Sequence, residues 1–155
     1  MAVLSFLLLL ALTDAATGLF WRKYVHRDTP LSWTDAQTIC RTNYVDLAVI
    51  DTQWEFHSFV NQTSSHKSDH CWIALRKNKG EQVFTQWSDG RVLDFKKWKN
   101  GQPDRPGTED CVFTDNNEWH DEVCTQTKNF FYDEEMKDRD SERININETT
   151  YNILI

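Results

Sequence analysis

The sequence predicts an α+β fold in which two short helices flank an antiparallel sheet and a long shaped loop tops the structure. Three observations carry that expectation. Two early segments combine helix caps with helical apolar spacing, later residues break into short apolar runs between turn residues, and the stretch from Lys99 to Asp110 has no periodicity at all.

The first helix is expected from Ser32 to Tyr44. Ser32 is an N-cap residue with Asp35 three positions on, and Trp33, Ala36, Ile39 and Cys40 fall near one face. Thr52 with Glu55 repeats the capping pattern and opens a second helix presenting Trp54, Phe56, Phe59 and Val60. Both helices are short and need a sheet to cover.

From Trp72 onward the runs Trp72-Ile73-Ala74-Leu75, Val83-Phe84, Trp87 and Cys111-Val112-Phe113 are separated by Ser88-Asp89-Gly90 and Asp115-Asn116-Asn117. That texture is the signature of antiparallel strands joined by hairpins. Between Lys99 and Asp110, Gly, Pro and acids make a long loop of the kind that carries function. After Phe130-Phe131-Tyr132 the chain turns too charged to bury, so residues 134–155 are expected to form a disordered or weakly helical tail. The seven tryptophans are spread over every element, and core packing is the expected use of most of them.

Length and composition narrow the function classes. At 155 residues, 39% hydrophobic, the chain supports one domain with one core, placed at residues 19–133. A net charge of -7 argues against nucleic acid or an anionic membrane surface, which call for clustered Lys and Arg, and leaves calcium and neutral ligands open. Residues 1–18 read as a signal peptide. Their apolar run is too short for a stable membrane span and ends in the small residues Ala15, Ala16 and Gly18, so secretion to the extracellular space is expected. The sequons at Asn61 and Asn147 fit a glycoprotein, and four cysteines in an oxidising compartment suggest disulfides with three pairings open.

An enzyme is not expected. Neighbouring His120 and Asp121 on one strand point to opposite faces, there is no nucleophile elbow, and no His-Glu-x-x-His pair offers a zinc site.

The two-helix opening, the Trp72-Ile73-Ala74-Leu75 strand, Gln102-Pro103-Asp104, Glu109-Asp110-Cys111 and Trp119-His120-Asp121 occur in an order and spacing that resembles the C-type lectin-like family, from Phe20 to about Asp133. The single-domain lectins of fish are similar in cast. The resemblance implies one principal Ca2+ site with Gln102, Asp104, Glu109 and Asp121 as ligands. Calcium chemistry agrees, since the ion takes about six to eight oxygens from carboxylates, amides and water. A cis Pro103 would turn the Gln102 and Asp104 oxygens to one side of the loop. By the same resemblance, these residues with His120 would bind the vicinal hydroxyls of a carbohydrate, galactose-type for a Gln-Pro-Asp loop, in glycan recognition or innate defence. Single-site affinity on the order of millimolar would call for an oligomer to supply avidity.

Four features depart from the family pattern. His120 stands where Asn is usual and offers nitrogen rather than oxygen, which weakens a calcium site. Arg105-Pro106-Gly107-Thr108 lacks the tryptophan that stacks on galactose. Arg105 and the basic Arg76-Lys77-Asn78-Lys79 stand where acids of an auxiliary calcium site would lie, so that site is expected to be absent. Cys111 and Cys124 match the family's inner disulfide. Cys40 matches its outer pair, but no cysteine occurs in Phe130-Phe131-Tyr132-Asp133. For Cys71, pairing with Cys40, linking two chains and staying free are all open. The alternative function is a calcium-independent lectin-like domain that binds protein, ice or another non-sugar surface.

Overall fold

The computed structural model describes residues 22–134. The expected leader, the Asn147 sequon and the charged tail lie outside the described residues. The described elements are β1 (Lys23–Leu31), α1 (Trp33–Asn43), β2 (Asp46–Leu47), α2 (Gln53–Gln62), a 3-10 turn (Ser64–His66), β3 (Cys71–Arg76), β4 (Cys111–Asp115), β5 (Glu118–Glu122) and β6 (Lys128–Glu134).

Both helix starts form as their sequences dictate. The Ser32 hydroxyl accepts from the Asp35 N–H at 3.2 Å, and the Thr52 hydroxyl accepts from the Glu55 N–H at 3.1 Å. Glu55 in turn accepts from the Asp51 N–H at 2.9 Å, so donors left over at the helix start are satisfied locally. α1 buries Trp33, Ala36 and Cys40, and α2 buries Phe56 and Phe59. Trp54 leaves the expected face and is 84% exposed. Two residues before Phe56, at 100° per residue, it falls on the far side of the helix.

The sheet runs β1-β6-β3-β4-β5, with β2 also on β6. Its pairings are antiparallel apart from β3 with β6, which is parallel. β6 is the organising strand: β1 covers one edge, while β3 and β2 share the other. β1 carries no clear strand signal, and Pro30 falls where its register with β6 shifts between Arg27 and Leu31, a place where a strand tolerates a residue without an N–H. Of the expected strand pieces, Trp87 contributes only an isolated bridge with Leu75, and Val83-Phe84 contributes none.

The core is aromatic, as the tryptophan usage implies. Trp33, Trp72, Trp87 and Trp119 are each buried to within about a hundredth of their surface. Trp33 Nε1 donates to the Ile73 carbonyl at 2.8 Å and Trp72 Nε1 to the Leu31 carbonyl at 2.9 Å, which offsets the cost of burying an indole N–H. The β4–β5 hairpin turns on Asn116 and Asn117 at φ 50° and 64°, the left-handed pair a two-residue hairpin requires.

Cys111 and Cys124 form the inner disulfide across a separation of 13 residues, a closure that contributes about 3 kcal/mol on the chain-entropy model. Cys40 and Cys71 are free and fully buried, which answers the pairing question within this chain. Burial pushes the Cys40 thiol up to about 12 and Cys71 well above its ordinary range, so both stay protonated and unreactive.

Near the missing outer disulfide sits a buried ionic cluster. Asp133 on β6 pairs with the Arg22 guanidinium, which also reaches Glu55 at 2.7 Å. Burial pushes Asp133 up to about 7 against the pull of Arg22, and Glu55 also to about 7. A carboxyl whose folded pKa is raised holds its proton better when folded. Their contribution to stability is therefore fully present below about pH 4 and is lost as pH rises through about 7, with a slope of up to about 1.4 kcal/mol per pH unit for each such proton. Urea unfolding midpoints across that range will show the decline, and Asp133→Asn will flatten it.

Candidate functional site

The site is assembled where the long loop meets β5. Trp119 is the anchor: its N–H donates to the Lys97 carbonyl at 2.8 Å, and its own carbonyl accepts from the Lys99 N–H at 3.0 Å. Around its ring stand Trp87 at 5.4 Å, Trp98 at 5.9 Å and Phe95 at 6.0 Å, all edge-to-face. This arrangement uses the aromatic quadrupole and fixes the start of the loop to the sheet.

Two residues along β5, on the same face as Trp119, Asp121 receives the loop. Its carboxylate accepts from the backbone N–H groups of Asp104 and Arg105, each at 3.1 Å. Its own N–H donates to Gln102 Oε1 at 3.3 Å. The Gln102-Pro103 bond is cis, as the resemblance implies. Glu109 returns at the far end, its N–H donating to the Arg105 carbonyl at 3.0 Å.

The carboxylates of Asp104, Glu109 and Asp121 come within 4.8 Å of one another, Glu109 and Asp121 buried and Asp104 exposed to solvent. Burial, and then the Asp121 charge, raise the pKa of Glu109 above the usual carboxylate range. Arg105 Nη1 lies 3.3 Å from Glu109 Oε1 and is the local counter-charge. Three carboxylates against one guanidinium leave two negative charges, and every donor is oxygen. That set fits a hard divalent cation such as calcium.

His120 does not join this group. Strand alternation sends its ring to the other face of β5, where it stacks on its cross-strand partner Phe113 with centroids 4.8 Å apart. Its charged neighbours are Lys99, Asp115, His70 and Glu118 rather than the carboxylates of the loop, and burial lowers its pKa. Nε2 is buried without a hydrogen-bond partner. The expected fifth member of the binding set therefore contributes no oxygen and no contact to the cluster.

Sequence reasoning missed the role of Lys77. Its side chain is fully buried, and the ammonium donates to the Pro106 carbonyl at 2.5 Å and lies 3.3 Å from Asp110 Oδ1. The ring of Phe84 is 5.0 Å from Nζ. The basic run from Arg76 to Lys79 signalled that acids are missing here, but not that one of its lysines is itself the cation holding the loop.

Comparison with known proteins agrees with this construction. The Lectin C-type domain model matches residues 29–131. The chain is 31% identical over 111 residues to C-type isolectin Sp-CL4 of Scorpaena plumieri, covering 68% of this chain and 75% of that protein. Among solved structures, a mouse scavenger receptor C-type lectin carbohydrate-recognition domain superposes with a TM-score of 0.63 at 28% identity, over 72% of this chain and 88% of that one. Herring type II antifreeze protein superposes at 0.64 and 26% identity, over 75% and 92%. The chain spans 41% of the length of another relative, CD209 antigen-like protein A of Mus musculus, to which it is 34% identical over 63% of itself. The chain belongs to the C-type lectin domain family, whose members are binding proteins rather than enzymes. Among the described residues, no helix is long and apolar enough to cross a membrane.

Lys77→Met removes the ammonium and leaves the Pro106 carbonyl and Asp110 without their partner. A loss of about 1–3 kcal/mol is expected in urea unfolding, with faster amide exchange confined to residues 104–110.

Proposed function

We propose that this protein is a secreted calcium-dependent carbohydrate-binding protein, taking galactose-type sugars on glycoproteins or microbial surfaces in glycan recognition or innate defence. The observation that carries the reading is the convergence of Asp104, Glu109 and Asp121 beside the Gln102 amide oxygen. Calcium held by those four side chains would supply an electropositive centre with exchangeable positions, and two vicinal sugar hydroxyls complete such a shell while bonding to the same carboxylates. Solvent access at Asp104 leaves room for that ligand. The Gln-Pro-Asp order favours galactose, whereas the exposed Arg105 and the absence of an aromatic beside it provide no stacking surface. Weak single-site binding would then rely on several copies acting together. A relative titled as a carbohydrate-recognition domain and an isolectin support the sugar reading.

Two observations favour a second reading. His120 faces away from the loop and gives the cluster no ligand, and the fold is shared with an antifreeze protein. A calcium-independent lectin-like domain binding ice or another non-sugar surface accounts for both.

Adding millimolar calcium is expected to raise the melting temperature, and EDTA to reverse the rise, because a ligand of the native state stabilises by mass action. Because Glu109 holds its proton more tightly than an ordinary carboxylate, protons compete with the ion as pH falls, so the rise will be smaller at pH 5 than at pH 7. Retention on immobilised galactose with elution by EDTA separates the two readings. Calcium-insensitive melting together with no retention on galactose or mannose would transfer the function to the non-sugar class.

A further inference from the structure

A second group of ligating side chains lies away from the loop, at the junction of β1 and the 3-10 turn. His26 on β1, His66 at the end of the 3-10 turn and Asp69 three residues beyond it bring one ligand atom each within 4.8 Å of one another. His26 Nε2 is 3.4 Å and His66 Nδ1 3.0 Å from the same oxygen, Asp69 Oδ2. In a tetrahedral zinc site, bonds of about 2.0–2.1 Å place neighbouring ligand atoms roughly 3.3–3.5 Å apart, so each imidazole already stands near that spacing from the Asp69 oxygen.

The local fold holds these residues in place. The His66 N–H donates to the Thr63 carbonyl at 2.9 Å and the Asp69 N–H to the His66 carbonyl at 3.1 Å, so the turn fixes the i, i+3 spacing. Between them, the Lys67 carbonyl accepts from Asn116, which ties the turn to the β4–β5 hairpin. His26 is packed beside Phe131, and its buried Nε2 makes no hydrogen bond although it lies 3.4 Å from Asp69 Oδ2. Asp28, two residues along β1, adds a nearby negative charge. The two imidazoles are stacked at 3.8 Å and 11°, so a common ion requires one ring to turn. His66, with its side chain 41% exposed, is free to do so, and Asp69 at 38% leaves an entry path from solvent.

We infer that His26, His66 and Asp69 form a binding site for a borderline divalent cation, zinc, independent of the loop. Two imidazoles and one carboxylate suit zinc and not calcium, and three protein ligands leave a fourth position for water. Bound there, the ion would pin the turn after α2 to β1, which are joined only through side chains at this point. Only part of the site is legible as a motif: His66-Lys67-Ser68-Asp69-His70 gathers two histidines and an acid in one run, but His26 lies forty residues before His66.

The test uses the full chain, stripped with a chelator and then held in excess calcium so that the loop carboxylates are occupied. Zinc is expected to raise the melting temperature of the wild type and of Asp121→Asn alike, and cobalt to give the visible spectrum of a tetrahedral nitrogen and oxygen site. His66→Ala and Asp69→Asn, both at accessible positions that the fold tolerates, are expected to lose the zinc shift and the cobalt spectrum. An absent zinc response in the wild type, or one that survives unchanged in His66→Ala and Asp69→Asn, would overturn the inference.

Discussion

The carboxylate of Asp121 is the point on which the functional end of this molecule depends. It accepts two backbone N–H groups from the loop while its own N–H reaches Gln102. One side chain thus fastens the loop to β5. Its placement follows from strand alternation: Trp119, two residues earlier, must face the core, so Asp121 faces the same way at the core's edge. The tryptophan that secures the strand and the acid that secures the loop are set by the same period.

Fixing a loop around several acids creates an electrostatic cost, and the chain meets it with cations of its own in two places. Lys77 is enclosed beneath the loop, bonded to Pro106 and beside Asp110, and works as a permanent ion. Arg105 lies over Glu109 but is 68% exposed, so it can swing into solvent with little loss. The difference in burial separates a structural cation from a displaceable one. It leaves a single cluster at the loop, Asp104 with Glu109 and Asp121, where an outside cation has a net charge to neutralise.

Much of this was legible in the sequence because the determinants are local. Ser32 and Thr52 announced the helix starts and Asn116-Asn117 the hairpin, while the family resemblance implied the oxygen cluster of Gln102, Asp104, Glu109 and Asp121. What escaped depends on distant pairing or on direction. β1 reads poorly because its strand character comes from β6, more than a hundred residues away. The parallel match of β3 with β6 has no local signal either. The letter at position 120 shows that an amide is missing, but only packing against Phe113 shows where the ring goes. Trp54 belongs by type on an apolar face, but helical geometry places it in solvent.

The central claim is that one calcium ion binds at the cluster fastened by Asp121. Isothermal titration of calcium into the chelator-stripped protein, with Asp121→Asn alongside, tests it most directly. One ion per chain for the wild type and none for the variant is the predicted result. No calcium binding to the wild type, or equal binding to both proteins, would contradict it.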